Sequence, residues 1–245
     1  ERKFERIKKN LSRASCIICS SHYTASLIDK LKITDTKKIV IPPTYSLEKL
    51  SKNKKTSTKN QIVSLLTICR LEKRKGILQV LRCLSNLNRN KLLKPFRWNI
   101  CGEGLDFKEI KENIRKLNLS DQVFLTGKID NISKQKFLER SDIFVMPSHK
   151  VNDSIEGFGI SYVEAAAHRI PSIAGLDGGV TDAVIDSKTG WCVDPLNQEQ
   201  LENVLKEAIN DKDQRKKYGL AAEKKFLEDF LGEKVFRKFM DAISI

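Results

Sequence analysis

Residues 142–174 read DIFVMPSHKVNDSIEGFGISYVEAAAHRIPSIA. The four apolar residues Ile143–Met146 are enough for a short buried strand and too few for a helix. Pro147-Ser148 opens a loop that runs through Asp153-Ser154-Ile155 to Glu156-Gly157-Phe158-Gly159. A helix is predicted over Gly159–His168 and a second strand over Ser172–Ala174, which together make a strand–helix–strand unit. The glycines free backbone N–H groups at a helix N-terminus, where the helix carries partial positive charge. That arrangement is an anion cradle that needs no metal. Glu164 lies about one turn inside the helix, where a carboxylate can accept two hydroxyls of a ribose. Glu156 precedes the cradle and can reach a polar ligand next to phosphates. The same residues also read as two surface glutamates beside a glycine-rich helix start.

Outward from this unit the beat repeats. Strands are predicted over Ile62–Ile68, Phe96–Cys101, Val123–Gly127 and Gly190–Val193, and helices over Gly76–Leu87, Leu105–Leu117 and Ser133–Arg140, with Ser133 as cap. A short helix is predicted near Gly179–Ile185. Strands alternating with helices imply a parallel sheet covered on both faces. Residues of about 61–195 therefore read as an open, doubly wound, Rossmann-like α/β sheet. Helices dominate from Gln198 onward, and Phe226, Phe230, Val235, Phe236, Phe239 and Met240 are spaced as an apolar stripe. Upstream, Ser15–Ser20 and Lys38–Pro42 read as strands around a helix capped by Ser21, and residues 43–60 read as a linker rich in Lys, Ser, Thr and Asn.

Ligands of such sheets bind beyond the carboxyl ends of the strands. After the strand ending at Ile68 comes Cys69-Arg70-Leu71-Glu72-Lys73-Arg74-Lys75-Gly76. Arg70 offers a fork of donors and Lys75 a point charge, which suits a diphosphate; a solvated basic turn is the alternative. Gly102-Glu103-Gly104 starts a GxG, but position 107 is Phe, so a dinucleotide fingerprint is rejected. Gly175-Leu176-Asp177-Gly178-Gly179 makes a further glycine-rich entry into a helix.

The 245 residues hold 45 Lys+Arg and 31 Asp+Glu, a formal charge of +14. That excess favours polyanions without choosing among nucleic acid, anionic lipid and phosphorylated small molecules. Six basic residues fall within 1–13 and five lysines within 49–59. Only Phe4 interleaves with them, which argues against single-stranded nucleic acid. No apolar run approaches the roughly 18 residues of a membrane span, and no signal peptide is expected. The opening at Glu1 without methionine points to a piece of a longer chain. Six scattered cysteines suggest a reducing compartment. Cys16 and Cys19 have knuckle spacing, but no second pair follows at a matching distance, so no metal site is expected.

Taken in order, these motifs resemble the C-terminal nucleotide-sugar domain of the retaining glycosyltransferase family 4, which has the GT-B fold, with a flavour closest to its mannosyltransferases. The match runs from Arg70-Leu71 with Lys75-Gly76, through Gly102-Glu103-Gly104, Val123–Gly127 and Asp142–Ser148. It continues through Glu156-Gly157-Phe158-Gly159 with Glu164 to Gly178-Gly179 and Thr189-Gly190. The resemblance implies a hexosyltransferase working with retention, and a donor UDP-, GDP- or ADP-sugar bound without metal or other cofactor. Arg70 and Lys75 are then expected to neutralise the diphosphate, and Glu164 to bind the ribose diol. Glu156 and the backbone at Phe158, Gly159 and Ile160 would hold the donor sugar and distal phosphate. Gly102 lies at the donor site, and main chain near Lys128 and Ile129 would meet the nucleobase. Glu156, Arg70 and Lys75 are the catalytic candidates. The implied organisation is 1–42 as the remnant of an acceptor domain, 43–60 as linker, 61–210 as the donor domain and 211–245 as C-terminal helices. The acceptor, a glycan, lipid carrier or small molecule, stays unassigned. The expected location is the cytoplasm, peripheral to the inner face of an anionic membrane, with no nucleic acid partner. Cys69 replaces the family's usual Gly, and Thr181-Asp182 its usual Pro-Glu. Because the acceptor site forms between two domains, this chain alone is expected to bind donor without useful turnover. A non-catalytic module for a phosphorylated ligand or nucleic acid is the alternative function.

Overall fold

The computed structural model describes residues 2–33, 36–45 and 62–243. Six parallel strands form the main sheet: β3 (Val63–Ile68), β4 (Phe96–Cys101), β5 (Val123–Gly127), β6 (Ile143–Met146), β7 (Ser172–Ala174) and β8 (Gly190–Cys192). Their order across the sheet is β5-β4-β3-β6-β7-β8. The chain therefore starts at the centre, walks out through β4 to β5, and returns to the other side of β3. The switch of direction falls between β3 and β6, and a crevice opens beyond their carboxyl ends. This is the expected Rossmann-like, doubly wound parallel sheet.

Helices α3 (Ile77–Arg89), α4 (Phe107–Lys116), α5 (Asn131–Arg140), α6 (Ile160–Ala167), α7 (Val180–Ala183), α8 (Gln198–Asn210) and α9 (Lys212–Lys225) connect and cover the strands. Central strands are buried on both faces, which is why β6 reads as an unbroken apolar run and β3 as one interrupted only by Ser64 and Thr67. Successive residues point to opposite faces. Leu65, Ile143 and Val145 join Leu81, Leu84 and Trp98 in one core, whereas Leu66, Phe144 and Met146 join Tyr162, Val163 and Phe226 in the other. The one polar side chain of β3 that is fully buried, Thr67, donates to Val145 O and accepts from Trp98 Nε1 at 2.9 Å, so neither group is left unpaired.

Before the sheet come α1 (Arg2–Leu11), β1 (Cys16–Cys19), α2 (His22–Lys30) and β2 (Lys37–Val40). β1 and β2 pair in parallel over a small core of Ile17, Cys19 and Ile33. Ser21 caps α2 with a reciprocal bond to Thr24. This unit touches the main sheet's loops, since Ser21 Oγ donates to Gly157 O (2.6 Å) and Asp182 Oδ2 accepts from His22 N (2.6 Å).

One expectation needs correction. Ser133 is not the cap of α5: Asp130 is, accepting from Ser133 N at 2.7 Å. Both residues suit a cap, and Ile132, which follows Asp130 closely, misplaced the start. The C-terminal apolar stripe splits. Phe226 and Phe230, in a π-helical turn after α9, are buried with Val235, but Phe236 and Met240 on α10 (Gly232–Ile243) are exposed. The predicted linker at 43–60 is described only to Tyr45, where Thr44 Oγ1 donates to Phe230 O (2.6 Å); the rest lies outside the described residues.

Candidate functional site

The turn after β3 and the loop after β6 meet at the switch point through alternating charges. Lys73–Lys75 wind into a single 3-10 turn, which buries Arg74 and Lys75. Arg70 Nη1 lies 3.3 Å from Glu72 Oε1, and Arg74 Nε donates to Glu72 Oε2 at 3.0 Å. Arg74 Nη1 then donates to Glu156 Oε2 at 2.9 Å, and Lys75 Nζ donates to that same oxygen. Burial alone would raise the Glu156 carboxyl, but the Lys75 ammonium and Arg74 guanidinium outweigh it and hold the carboxyl below its usual range. For Arg74, burial works against the charge, and bonds to Glu156 and Glu72 carry the guanidinium above its ordinary value. Arg74 and Lys75 share one carboxylate oxygen of Glu156, and with Arg70 they set three cations against the two carboxylates Glu72 and Glu156, leaving one net positive charge for an anion.

The loop that presents Glu156 is fixed on both sides. Gly179 N donates to Glu156 O at 2.9 Å, and Phe158 buries its ring edge-on against Phe230 with centroids 5.6 Å apart. Phe158 is therefore a core residue by its side chain, and only its backbone is free to meet a ligand. Gly159 starts α6 at φ +92°, a conformation that a side chain opposes, and no side chain caps the helix. The α6 N-terminus and its partial charge follow directly. Ile160 is exposed.

Glu164 sits one turn further along α6. Its side chain is 9% exposed, and Lys134 Nζ on α5 lies 2.6 Å from its Oε1. Glu156 is 14% exposed. Glu164 is buried and Glu156 partly buried, and both are paired with cations, unlike two solvated surface glutamates.

Beside this cluster lies a cavity of about 390 Å3 at the ends of β3, β4 and β5. Ile68, Cys69, Arg70, Gly102, Lys128, Ile129 and Ser161 line it. A Cβ on Gly102 would stand 1.9 Å from Cys69 O. Glycine there lets the turn after β4 lie against the turn after β3, a role in chain packing as well as in shaping the cavity. Burial pushes the Cys69 thiol up to about 12 despite the Lys75 charge.

The structure thus sorts the predicted residues into three neighbouring groups. Arg70, Gly102, Lys128 and Ile129 line the cavity. Lys75 and Glu156 form the charged cluster, with Phe158, Gly159 and Ile160 following it. Glu164 stands apart, on the helix that contributes Ser161 to the cavity wall. Arg70 is 77% exposed and reaches Glu156 only through Glu72 and Arg74. Sequence reasoning missed Arg74, Glu72 and Lys134. The first two stood inside the quoted turn, but which of three successive basic residues turns inward depends on the 3-10 geometry. Lys134 is 30 residues from Glu164, and no local spacing connects them. Among the described residues, no group of three or more His, Cys, Asp or Glu is placed to hold a metal ion.

A family model described as "Glycosyl transferases group 1" matches residues 48–225. The chain is 28% identical over 166 residues to a glycogen synthase of Mycobacterium tuberculosis, covering 68% of this chain and 38% of that protein. It is 28% identical over 149 residues to a GDP-mannose-dependent alpha-(1-6)-phosphatidylinositol monomannoside mannosyltransferase of Mycolicibacterium smegmatis, covering 60% and 38%. The structure of Anabaena Alr3699/HepE in complex with UDP and glucose superposes with a TM-score of 0.82 at 18% identity, covering 99% of this chain and 67% of that one. The matched region spans about two fifths of the length of these curated relatives.

Proposed function

This chain belongs to the group 1 glycosyl transferases, and on that premise we propose that it is the donor-binding half of a retaining, metal-independent family 4 hexosyltransferase. The observation that carries the proposal is the Arg74–Glu156–Lys75 cluster at the switch point, beside a cavity of about 390 Å3. The cavity takes the nucleoside, with main chain at Lys128 and Ile129 toward the base and Glu164 toward the ribose hydroxyls. Arg70 and Lys75 neutralise the diphosphate, and Arg74 holds Glu156 beside it. Glu156 and the backbone at Phe158, Gly159 and Ile160 meet the donor sugar and distal phosphate. These fixed cations take the place of a divalent metal as charge builds on the leaving group.

In the transfer, the bond from the anomeric carbon to the distal phosphate oxygen breaks, and its electron pair leaves with the diphosphate. The acceptor oxygen bonds to the anomeric carbon on the same face, which preserves configuration. The acceptor proton passes to the departing phosphate oxygen. The acceptor site belongs to the whole protein, so this chain by itself binds donor without useful turnover. The chain works in the cytoplasm. Its contact with an anionic membrane is peripheral, supported by the +14 charge and by exposed Lys234, Arg237 and Lys238 beside exposed Phe236 on α10. No helix among the described residues is long and apolar enough to cross a membrane.

The relatives point to UDP or GDP as carrier: one structure holds UDP and one relative is GDP-mannose-dependent. Titration of the chain with UDP-glucose, GDP-mannose and ADP-glucose tests the proposal. One base is expected to bind at least about ten-fold more tightly than the others, the difference that one or two base contacts supply. Equal, weak affinity for all three would favour a general phosphate-binding module. For the full-length protein, retention is read from the anomeric proton of the product, and inverted configuration would refute it.

A further inference from the structure

We propose that Lys134 is a positioning residue of the donor site, which holds the Glu164 carboxylate in the orientation that receives the ribose hydroxyls. The inference rests on the reading of Glu164 as the ribose ligand. Glu164 is almost fully buried on α6, and a buried carboxylate without a partner is strongly unfavourable. It would also repel the diphosphate of the nucleotide it binds. Lys134 answers both problems. Its ammonium lies 2.6 Å from Oε1, neutralises the group and fixes one oxygen of the pair. With Oε1 pinned, the carboxylate no longer rotates freely, and Oε2 is left in a defined direction.

Lys134 is in turn held. Its Nζ stands 6.0 Å from the centroid of the Tyr45 ring, within cation–π range. The Tyr45 hydroxyl donates to Gln135 Oε1 at 3.1 Å, on the residue next to Lys134, and the ring meets His168 edge-on at 6.1 Å. On α6, Ser161 lines the cavity and donates to Ile68 O at 2.9 Å. Glu164, three residues later, lies on the adjoining turn of that face. A chain of fixed contacts thus runs from Tyr45 through Lys134 to the carboxylate on the helix whose Ser161 lines the cavity.

The test is calorimetric titration of the 245-residue chain with UDP, GDP, ADP and their 2′-deoxy forms, using the diphosphate that binds most tightly. The unsubstituted chain is expected to prefer the ribo form by about ten-fold or more, the value of a hydrogen bond to a charged group. K134M is expected to reduce that preference to about two-fold or less, and K134R to retain most of it. In an E164Q background, K134M is expected to add no further loss. A general loss of structure would weaken both nucleotide forms equally and leave the ratio unchanged. If the unsubstituted chain shows the preference and K134M keeps it in full, the Lys134 inference falls while the ribose reading stands. If the unsubstituted chain shows no preference, or binds none of the three diphosphates, the reading of Glu164 falls and takes this inference with it. Should K134M fail to fold by circular dichroism, K134Q carries the same readout.

Discussion

Replacing Lys75 with methionine separates two jobs of one ammonium group. In the free protein Lys75 is 7% exposed and shares Glu156 Oε2 with Arg74. Removing one partner of a buried pair typically costs about 3–5 kcal/mol. Here Arg74 Nη1 stays 2.9 Å from the same oxygen, so Glu156 keeps a cation and the loss falls at the low end, about 3 kcal/mol. For a chain of this length that is a drop of roughly 6–12 °C in Tm. In the proposed complex Lys75 meets the diphosphate. A charge-assisted contact is worth about 1.5–3 kcal/mol, or about 10- to 150-fold in Kd. The matched nucleoside lacks the phosphates and should lose less than about three-fold. Thermal unfolding reads the first effect and calorimetric titration with diphosphate and nucleoside the second. Arg70→Met is the control. Arg70 is 77% exposed, so its loss should move stability by less than about 0.5 kcal/mol while still weakening the diphosphate. If Lys75→Met weakens nucleoside and diphosphate equally, the ammonium does not contact phosphate and the reasoning fails.

Glu164→Ala is expected to weaken a nucleoside diphosphate and its sugar conjugate alike, since both carry the ribose, while Glu156→Ala removes mainly the affinity added by the sugar; equal losses for both ligands in both variants would contradict this division. Gly159→Ala puts a Cβ 2.5 Å from the Tyr162 ring in a backbone conformation with φ +92°, and unfolding in denaturant should show a loss of about 2–4 kcal/mol. An unchanged midpoint would mean that the α6 entry relaxes freely. His149 is 6% exposed and burial holds its imidazole below the ordinary 6.5. The unfolded chain then takes up a proton near pH 6.5 that the folded chain refuses, so stability is present above that pH and is lost as pH falls below it. Thermal scans from pH 7.5 to 5.5 should show this slope, flattened in His149→Gln.

The sheet was legible because its central strands are buried on both faces. VSLLTI and IFVM read as strands without any knowledge of their neighbours. Turn residues such as Gly76 and Gly159 fixed the helix starts to within a residue. The cap of α5 was misjudged because Asp130 and Ser133 both carry the right chemistry and only the backbone chooses between them. That the C-terminal stripe is partly exposed was expected; which of its residues are exposed was not legible, because periodicity records a face and not what covers it. At the candidate site, Lys75, Glu156 and Glu164 were singled out by their place in the turns, and the resemblance implied their roles. Their partners Arg74 and Lys134 were not, because the pairs to Glu156 and Glu164 span 82 and 30 residues and exist only after the loops have met.

The central claim is that fixed cations of the chain, without a metal, bind the diphosphate of a nucleotide sugar. Thermal unfolding of the chain in EDTA with UDP, GDP or ADP tests it most directly. A diphosphate at about 100 times its Kd adds roughly 2.7 kcal/mol to stability, which corresponds to roughly 5–11 °C in Tm for a chain of this length. At least one of the three should produce that rise in EDTA, and added magnesium should leave it unchanged. Equal melting temperatures with and without all three, or a rise that appears only when magnesium is supplied, would contradict the account.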